Sequence, residues 1–463
     1  MHFRKLLWLF AAIIPLFAGA QTRIQNIEKA FNRFLADEQC KYASASLCVL
    51  DAGSGKLLYG YNQNTGLATA STLKTITAAT AFSLLGKDFR YQTTLGYSGR
   101  IENGVLKGDL VITGGGDPTL GSWRYEQSRE NVILNQWVAA IRAAGIREIS
   151  GSVIGDDSAW GTQTTPEGWT WQEIGNYYGA GSSALTWREN QFDIHLRASN
   201  ASVVKTVPAM PYIRIVNELR TGAAGSGDNA YAYLPPYGNL AYLRGTWGSD
   251  IRKSGISVAL PDPAYDCAFR LQDTLKKLGI NSVGASTARL LSLEQKKVPA
   301  VAQKLSTITS PSLSEIVYWF EKKSVNLFGE HLMRTLAWKS GREPGTREGA
   351  RTLINFWSAK GIDRNALNII DGSGLSPANR VTTYAMASIL FQAQKETWYA
   401  DFYKALPEYN GMKIKSGTIS DVSAFAGYHT DRNGNKYVVV INVNNYSGSG
   451  INRKLFQVLD ELK

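Results

Sequence analysis

The chain has 463 residues, 44% hydrophobic and 19% charged, a globular balance that can bury more than one core and predicts two or three domains at ~100 to 200 residues each. Its formal charge of +12 suits an anionic partner, but no array of basic and aromatic residues argues for nucleic acid. Cys40, Cys48 and Cys267 are too few and too scattered for a disulfide framework or a zinc site. Buried free thiols are expected, with a Cys40–Cys48 bridge as the alternative. After the first residues only His195, His331 and His429 remain, with no spacing that makes a metal pair. No metal or other cofactor is expected.

The chain opens with Arg4 and Lys5, an apolar run from Leu6 to Phe17, and Ala18-Gly19-Ala20. This is the order of a cleavable secretory signal peptide over residues 1–20. As a helix the run spans about 18 Å at ~1.5 Å per residue, short of a ~30 Å bilayer core, so no stable membrane anchor is expected. Loss of Arg4 and Lys5 removes two charges and leaves +10. Residues 43 to 60 alternate around Asp51-Ala52-Gly53-Ser54-Gly55 and predict a β-hairpin. Leu73, Ile76, Thr80 and Leu84 then predict a helix from Ser71 to Leu85, closed by Gly86. From about Tyr91 to Leu305 glycine, aromatic and β-branched residues dominate and helical patterns are few, which predicts a β-rich insertion of two parts. Helical periodicity returns from Ser312 through Ile316, Phe320, Leu327 and Leu332. Two strands, Ser423–Tyr428 and Lys436–Asn442, and a helix near Arg453–Leu462 end the chain. The two helix-bearing ends, 21–90 and 306–463, are expected to fold together with 91–305 inserted between them.

Ser71-Thr72-Leu73-Lys74 sets a hydroxyl at a helix N-terminus and an amine one turn later on the same face, with Cβ atoms roughly 5 to 6 Å apart. A serine at neutral pH needs an adjacent base, and a helix N-terminus offers N–H groups to a developing oxyanion. Burial and nearby cations favour the neutral amine that a lysine base requires. Ser324-Val325-Asn326 adds a second hydroxyl and a carboxamide able to relay a proton and to hold Lys74 and a substrate amide. The plain alternative is a helix-capping serine beside a turn asparagine. Lys-Ser-Gly occurs at Lys253, Lys339 and Lys415. Lys339 leaves a helix, and Lys253 lies inside the insertion. Only Lys415 sits in a strand-like run, Met412 to Thr418, where an edge lysine presents its charge to a carboxylate and Gly417 admits a substrate backbone.

The order of these elements resembles the Ser-x-x-Lys, Ser-x-Asn, Lys-Thr-Gly signature of penicillin-binding proteins and class A β-lactamases. The wider spelling resembles class C low-molecular-mass penicillin-binding proteins, the D-alanyl-D-alanine carboxypeptidases and endopeptidases with a large insertion between the first two motifs. The resembling residues are Ala70 to Lys74, Leu84-Leu85-Gly86, Gly115 to Leu120, Gly155-Asp156-Asp157-Ser158, Tyr177 to Ala180, Ala184-Leu185, Asp371 to Ser376 and Ala426-Gly427-Tyr428. They run through nearly the whole chain after the signal.

The resemblance implies an α/β (α+β) fold, a β-lactamase/transpeptidase-like domain of an antiparallel sheet flanked by helices with inserted β-rich domains. It implies a periplasmic enzyme acting on peptidoglycan peptide, with β-lactam antibiotics as covalent inhibitors. Ser71 is then the acylated nucleophile, Lys74 its base, Ser324 and Asn326 the proton relay and amide clamp, and Lys415 the electrostatic anchor. The oxyanion hole is the N–H groups of Ser71 and Thr418. Ser416 replaces the usual threonine and keeps a hydroxyl for the substrate carboxylate. Glu173 stands where relatives often carry aspartate and is a candidate for contacting a stem-peptide amino group; the alternative is a surface carboxylate beside tryptophans. Asp371 to Leu375 reads as a turn that shapes the site wall without chemistry. A Ser-His-Asp hydrolase is disfavoured, because Ser71 has Ala70 and Thr72 as neighbours in place of a Gly-x-Ser-x-Gly elbow. A β-lactamase or esterase on the same scaffold, or a wall-binding module without activity, are the rival readings.

Overall fold

The computed structural model describes residues 23–197 and 199–463, so the expected signal segment 1–20 lies outside the described residues. The chain divides into two compact units. Among the described residues the first comprises 23–83, Leu353–Ile369 and Pro377–Lys463, and the second comprises Leu84–Thr352 and Ile370–Ser376. The second unit includes helices Leu313–Lys322 and Asn326–Lys339.

The first unit is built on a six-stranded antiparallel sheet in the order Leu57–Tyr61, Ser44–Asp51, Lys436–Asn444, Val422–Thr430, Met412–Ile419, Glu408–Tyr409. Its hairpin and its two C-terminal strands are those expected. At the hairpin turn the Asp51 carboxylate accepts from the Ser54 N–H and Oγ–H, at 2.7 and 2.6 Å. The central strands are buried along nearly their whole length, as a sheet covered on both faces requires. One face packs on helix Ile451–Leu459 and on a helix over residues 23–35, whose Ile27, Phe31 and Phe34 repeat at helical spacing; the sequence reading did not anticipate this second helix. Helix Thr383–Ala393 also packs on the sheet, and Tyr428 donates its hydroxyl to the Leu390 carbonyl at 2.8 Å. The predicted helix after Ser71 is Leu73–Leu85, entered through a 3₁₀ turn at Ala70–Thr72. Leu73, Ile76 and Thr80 are buried, whereas Leu84, in the last turn before Gly86, is exposed.

The second unit holds two separate cores within residues 91–309. A five-stranded mixed sheet, ordered Ala285–Thr287, Val153–Asp156, Leu110–Thr113, Gln92–Tyr97, Gln303–Thr309, packs on helices Glu130–Ala143 and Pro263–Lys277 through Leu95, Ile112, Trp137, Ile141, Leu271 and Leu275. Long helices are few in this segment, as expected, but the two present carry local signals that the sequence reading did not place. Ile133, Leu134, Trp137, Val138 and Ile141 carry a helical repeat, and the Asp262 side chain caps the Tyr265 N–H ahead of Pro263 at the first helical position, a start signal that the glycine-rich surroundings mask. The other core gathers Phe192, Ile194, Leu243, Trp247 and Val258 from smaller sheets and is β-rich as expected.

All three cysteines are buried free thiols and no Cys40–Cys48 bridge forms; burial pushes the Cys48 thiol up to about 12. Asp117 in the second unit is fully buried, and that burial raises its carboxyl to about 6 against the pull of the Thr119 N–H and hydroxyl on Oδ1. Its other oxygen has no hydrogen-bond partner. The folded state therefore holds this proton more tightly than the unfolded chain does. The resulting stability is fully present below the ordinary aspartate range and is lost as pH rises through about 6. Relative to Asp117→Asn, the native chain is expected to lose about 2 kcal/mol between pH 4 and pH 7. Denaturant unfolding of both chains at the two pH values measures this, and equal curves would contradict it.

Candidate active site

Each unit carries part of the expected set. In the first unit the chain leaves the short strand Gly66–Leu67, turns at Thr69 and Ala70, and enters the helix. The Thr72 hydroxyl and N–H both donate to the Thr69 carbonyl, at 2.7 and 3.3 Å, and close the turn. Ala70, fully buried, holds a left-handed φ of 44°, a conformation that costs an L-residue roughly 1 to 2 kcal/mol and is kept only where its surroundings impose it. This geometry leaves Ser71 partly exposed and Lys74 fully buried one turn on. Lys74 Nζ lies 2.9 Å from Ser71 Oγ, within reach for direct proton transfer.

The strand Met412–Ile419 lies against this turn. It pairs with Val422–Thr430 along its length, but on its other side with Glu408–Tyr409 only at Met412 and Lys413. Beyond Lys413 the pairing with Glu408–Tyr409 ends. Lys415 is buried, and its Nζ donates to the Ser416 carbonyl at 2.7 Å. Strand alternation puts Lys415 and Gly417 on one face, and Ser416 and Thr418, both less buried, on the other. A Cβ on Gly417 would sit 2.8 Å from the Thr69 carbonyl oxygen and the Thr72 nitrogen, and 2.9 Å from the Ser71 nitrogen. Glycine is thus the one residue that lets this strand lie against the backbone of the serine turn. The other two Lys-Ser-Gly copies behave as controls. Lys253 is exposed and pairs with Asp228 at 2.8 Å, and Lys339 ends a helix before Gly341, whose φ is 72°.

In the second unit Ser324 breaks the chain between helices Leu313–Lys322 and Asn326–Lys339 with a φ of 55°. Val325 occupies the N-cap position and makes no side-chain cap, so Ser324 is not a helix-capping serine. Asn326 opens the second helix, and its Nδ2 donates to the Tyr178 carbonyl at 2.8 Å. Glu173, in the single helical turn Trp171–Ile174, is half-buried. Desolvation raises its carboxyl above the ordinary value while a hydrogen bond from Tyr178 opposes the rise. Burial, and then the Glu173 charge, in turn push the Tyr178 hydroxyl up. Tyr178 therefore connects Glu173 to Asn326.

Sequence reasoning missed two buried carboxylates of the second unit. Asp371 is buried and accepts from Trp169 Nε1 at 2.9 Å, the Gly374 N–H at 2.7 Å and the Ser376 N–H at 2.6 Å. Glu330, also buried, accepts from the N–H groups of Gly372 and Ser373 at 3.1 and 2.9 Å. The signal available was helical spacing, since Glu330 follows Asn326 by one turn on the same face. Among the described residues no group of three or more His, Cys, Asp or Glu side chains is placed to hold a metal ion.

A family model for the D-Ala-D-Ala carboxypeptidase 3 (S13) family matches residues 27–408. The chain is 27% identical to the D-alanyl-D-alanine carboxypeptidase of Actinomadura sp. (strain R39), over 94% of this chain and 84% of that one. It is 25% identical to the D-alanyl-D-alanine carboxypeptidase DacB of Haemophilus influenzae, over 86% and 85%. Among solved structures, penicillin-binding protein 4 (dacB) of Haemophilus influenzae superposes with a TM-score of 0.75 at 23% identity, covering 90% of this chain and 94% of that one. The fold is the one the motif order implied.

Proposed function

The chain belongs to the D-Ala-D-Ala carboxypeptidase 3 (S13) family, and on that premise we propose that it is a serine-type D-Ala-D-Ala carboxypeptidase that cleaves D-alanyl bonds of peptidoglycan stem peptides through an acyl-enzyme on Ser71. The observation that carries this reading is the 2.9 Å contact between Lys74 Nζ and Ser71 Oγ at a helix entrance. The reactive form is the one with Lys74 neutral, so that Nζ takes the hydroxyl proton as Oγ attacks the penultimate D-alanyl carbonyl. The N–H groups of Ser71 and Thr418 receive the oxyanion. The C–N bond then breaks, the terminal D-alanine leaves with a proton, and water hydrolyses the ester to restore Ser71. The same sequence on a D-alanyl bond to a cross-linking amine is endopeptidase activity.

The family resemblance assigns the proton relay to Ser324, the substrate-amide clamp to Asn326, and the anchoring of the substrate carboxylate to Lys415, Ser416 and Thr418. Glu173 is assigned a contact with the stem peptide. In this reading residues 21–90 and 306–463 are the penicillin-binding part and 91–305 the insertion. The signal-like order of residues 1–20 supports export to the periplasm, and the family supports covalent inhibition by β-lactams. The test is release of D-alanine from a peptide ending in D-Ala-D-Ala by the mature chain. Catalytic release supports the proposal, and a folded chain that cleaves neither this peptide nor a cross-linked dimer contradicts it.

Gly417→Ala tests the role of the close approach. Its Cβ forces the strand or the serine turn to give way, and acylation of Ser71 by benzylpenicillin is expected to slow by about 10- to 100-fold. Stopped-flow acylation kinetics check this, and an unchanged rate would show that the contact does not position the nucleophile.

A further inference from the structure

A groove of about 1130 Å³ lies within the first unit, apart from every residue given a role above. It is bounded by the turn after the Ser44–Asp51 strand, the short strands Gly66–Leu67, Leu367–Asn368 and Arg380–Thr382, and helix Thr383–Ala393. It exceeds the ~300 to 1,000 Å³ of ordinary small-molecule sites and has room for more than one sugar-sized unit.

Its charged side chains are engaged within the fold. Lys360 pairs with Glu396 at 2.6 Å, Lys395 Nζ lies 4.4 Å from the centre of the Phe391 ring, and Arg380 donates to the carbonyls of Pro377 and Asn379. Asp363 accepts the Asn365 N–H at 2.9 Å. Beside the exposed Lys395, what the groove offers a ligand is therefore mostly neutral. The side chains of Asn64, Asn365 and Asn368 are exposed, a hydroxyl comes from Ser388, and Tyr384 is 43% exposed. Carboxamides donate and accept at once, matching vicinal hydroxyls and N-acetyl groups. An exposed tyrosine offers a flat apolar face with a polar tip. A phosphate would find Lys360 and Arg380 already engaged, and an apolar peptide would find carboxamides in place of a greasy wall.

We propose that this groove binds the glycan of the cell-wall polymer, a chain of N-acetylated hexosamines. Gly66, on the groove wall, leads through Leu67 and Ala68 into the Ser71 turn, so a glycan held here is bound by the unit that carries the nucleophile. The assignment of this ligand rests on the cell-wall reading above. The test titrates tetra-N-acetylchitotetraose into the mature chain and into Tyr384→Ala and Asn365→Ala, both exposed positions, with thermal unfolding confirming the folds. Saturable binding weakened at least tenfold in Tyr384→Ala and measurably in Asn365→Ala is expected. D-alanine release from a free peptide should be unchanged in both variants, while release from intact polymeric peptidoglycan falls several-fold. Absence of binding, equal binding by all three chains, or displacement of the sugar by free stem peptide would overturn the proposal. Failure of the native chain to release D-alanine from the free peptide would instead strike the enzymatic reading, and the oligosaccharide titration would still decide the groove.

Discussion

Ser71→Ala is expected to lower D-alanine release from a D-Ala-D-Ala peptide by at least about 10⁴-fold, with folding unchanged, because the acyl-enzyme loses its only bond to the protein. Ser71 is partly exposed at the joint between a turn and a helix, and its removal leaves no cavity in a core. Lys74 is fully buried and in hydrogen-bond contact with that hydroxyl, so the two side chains act as one unit. Lys74→Ala should lose activity on the same scale, and the double variant should lose no more than Ser71→Ala alone. Steady-state rates for the three variants check this. Losses that multiply in the double variant would mean that Lys74 acts independently of the serine.

The second large effect falls on stability. Asp371→Ala strips the acceptor from three buried donors, Trp169 Nε1 and the N–H groups of Gly374 and Ser376. At roughly 1 to 3 kcal/mol for each buried group left unpaired, a loss of about 4 kcal/mol or more is expected. Asp371→Asn keeps one acceptor oxygen and should lose clearly less. Denaturant unfolding of the second unit's signal measures both, and a loss of under about 1 kcal/mol in Asp371→Ala would show that the loop stands without its carboxylate.

These two residues mark what sequence does and does not disclose. Ser71, Lys74 and the Lys415 strand were legible because their chemistry is written in local spacing: one helical turn in the first case and strand alternation in the second. The patterns around the three Lys-Ser-Gly copies also set Lys415 apart from the other two. Asp371 was read as a bland turn, because its partner Trp169 lies far away in the sequence and no local pattern records that pairing. Helices Glu130–Ala143 and Pro263–Lys277 were lost for another reason. Their apolar repeats sit among glycine-rich turns, and the composition of the whole segment outweighed the periodicity of its parts. The left-handed backbone at Ala70 and Ser324 had no glycine or asparagine to announce it; it is imposed by tertiary packing.

The most direct test of the central claim is the intact mass of the mature chain after incubation with benzylpenicillin, beside that of Ser71→Ala. The account predicts one covalent penicillin on the native chain and none on the variant. An adduct on both would place the nucleophile elsewhere. A folded native chain that takes up no penicillin and leaves the antibiotic unhydrolysed would contradict the acyl-enzyme itself and leave a wall-binding module as the better description.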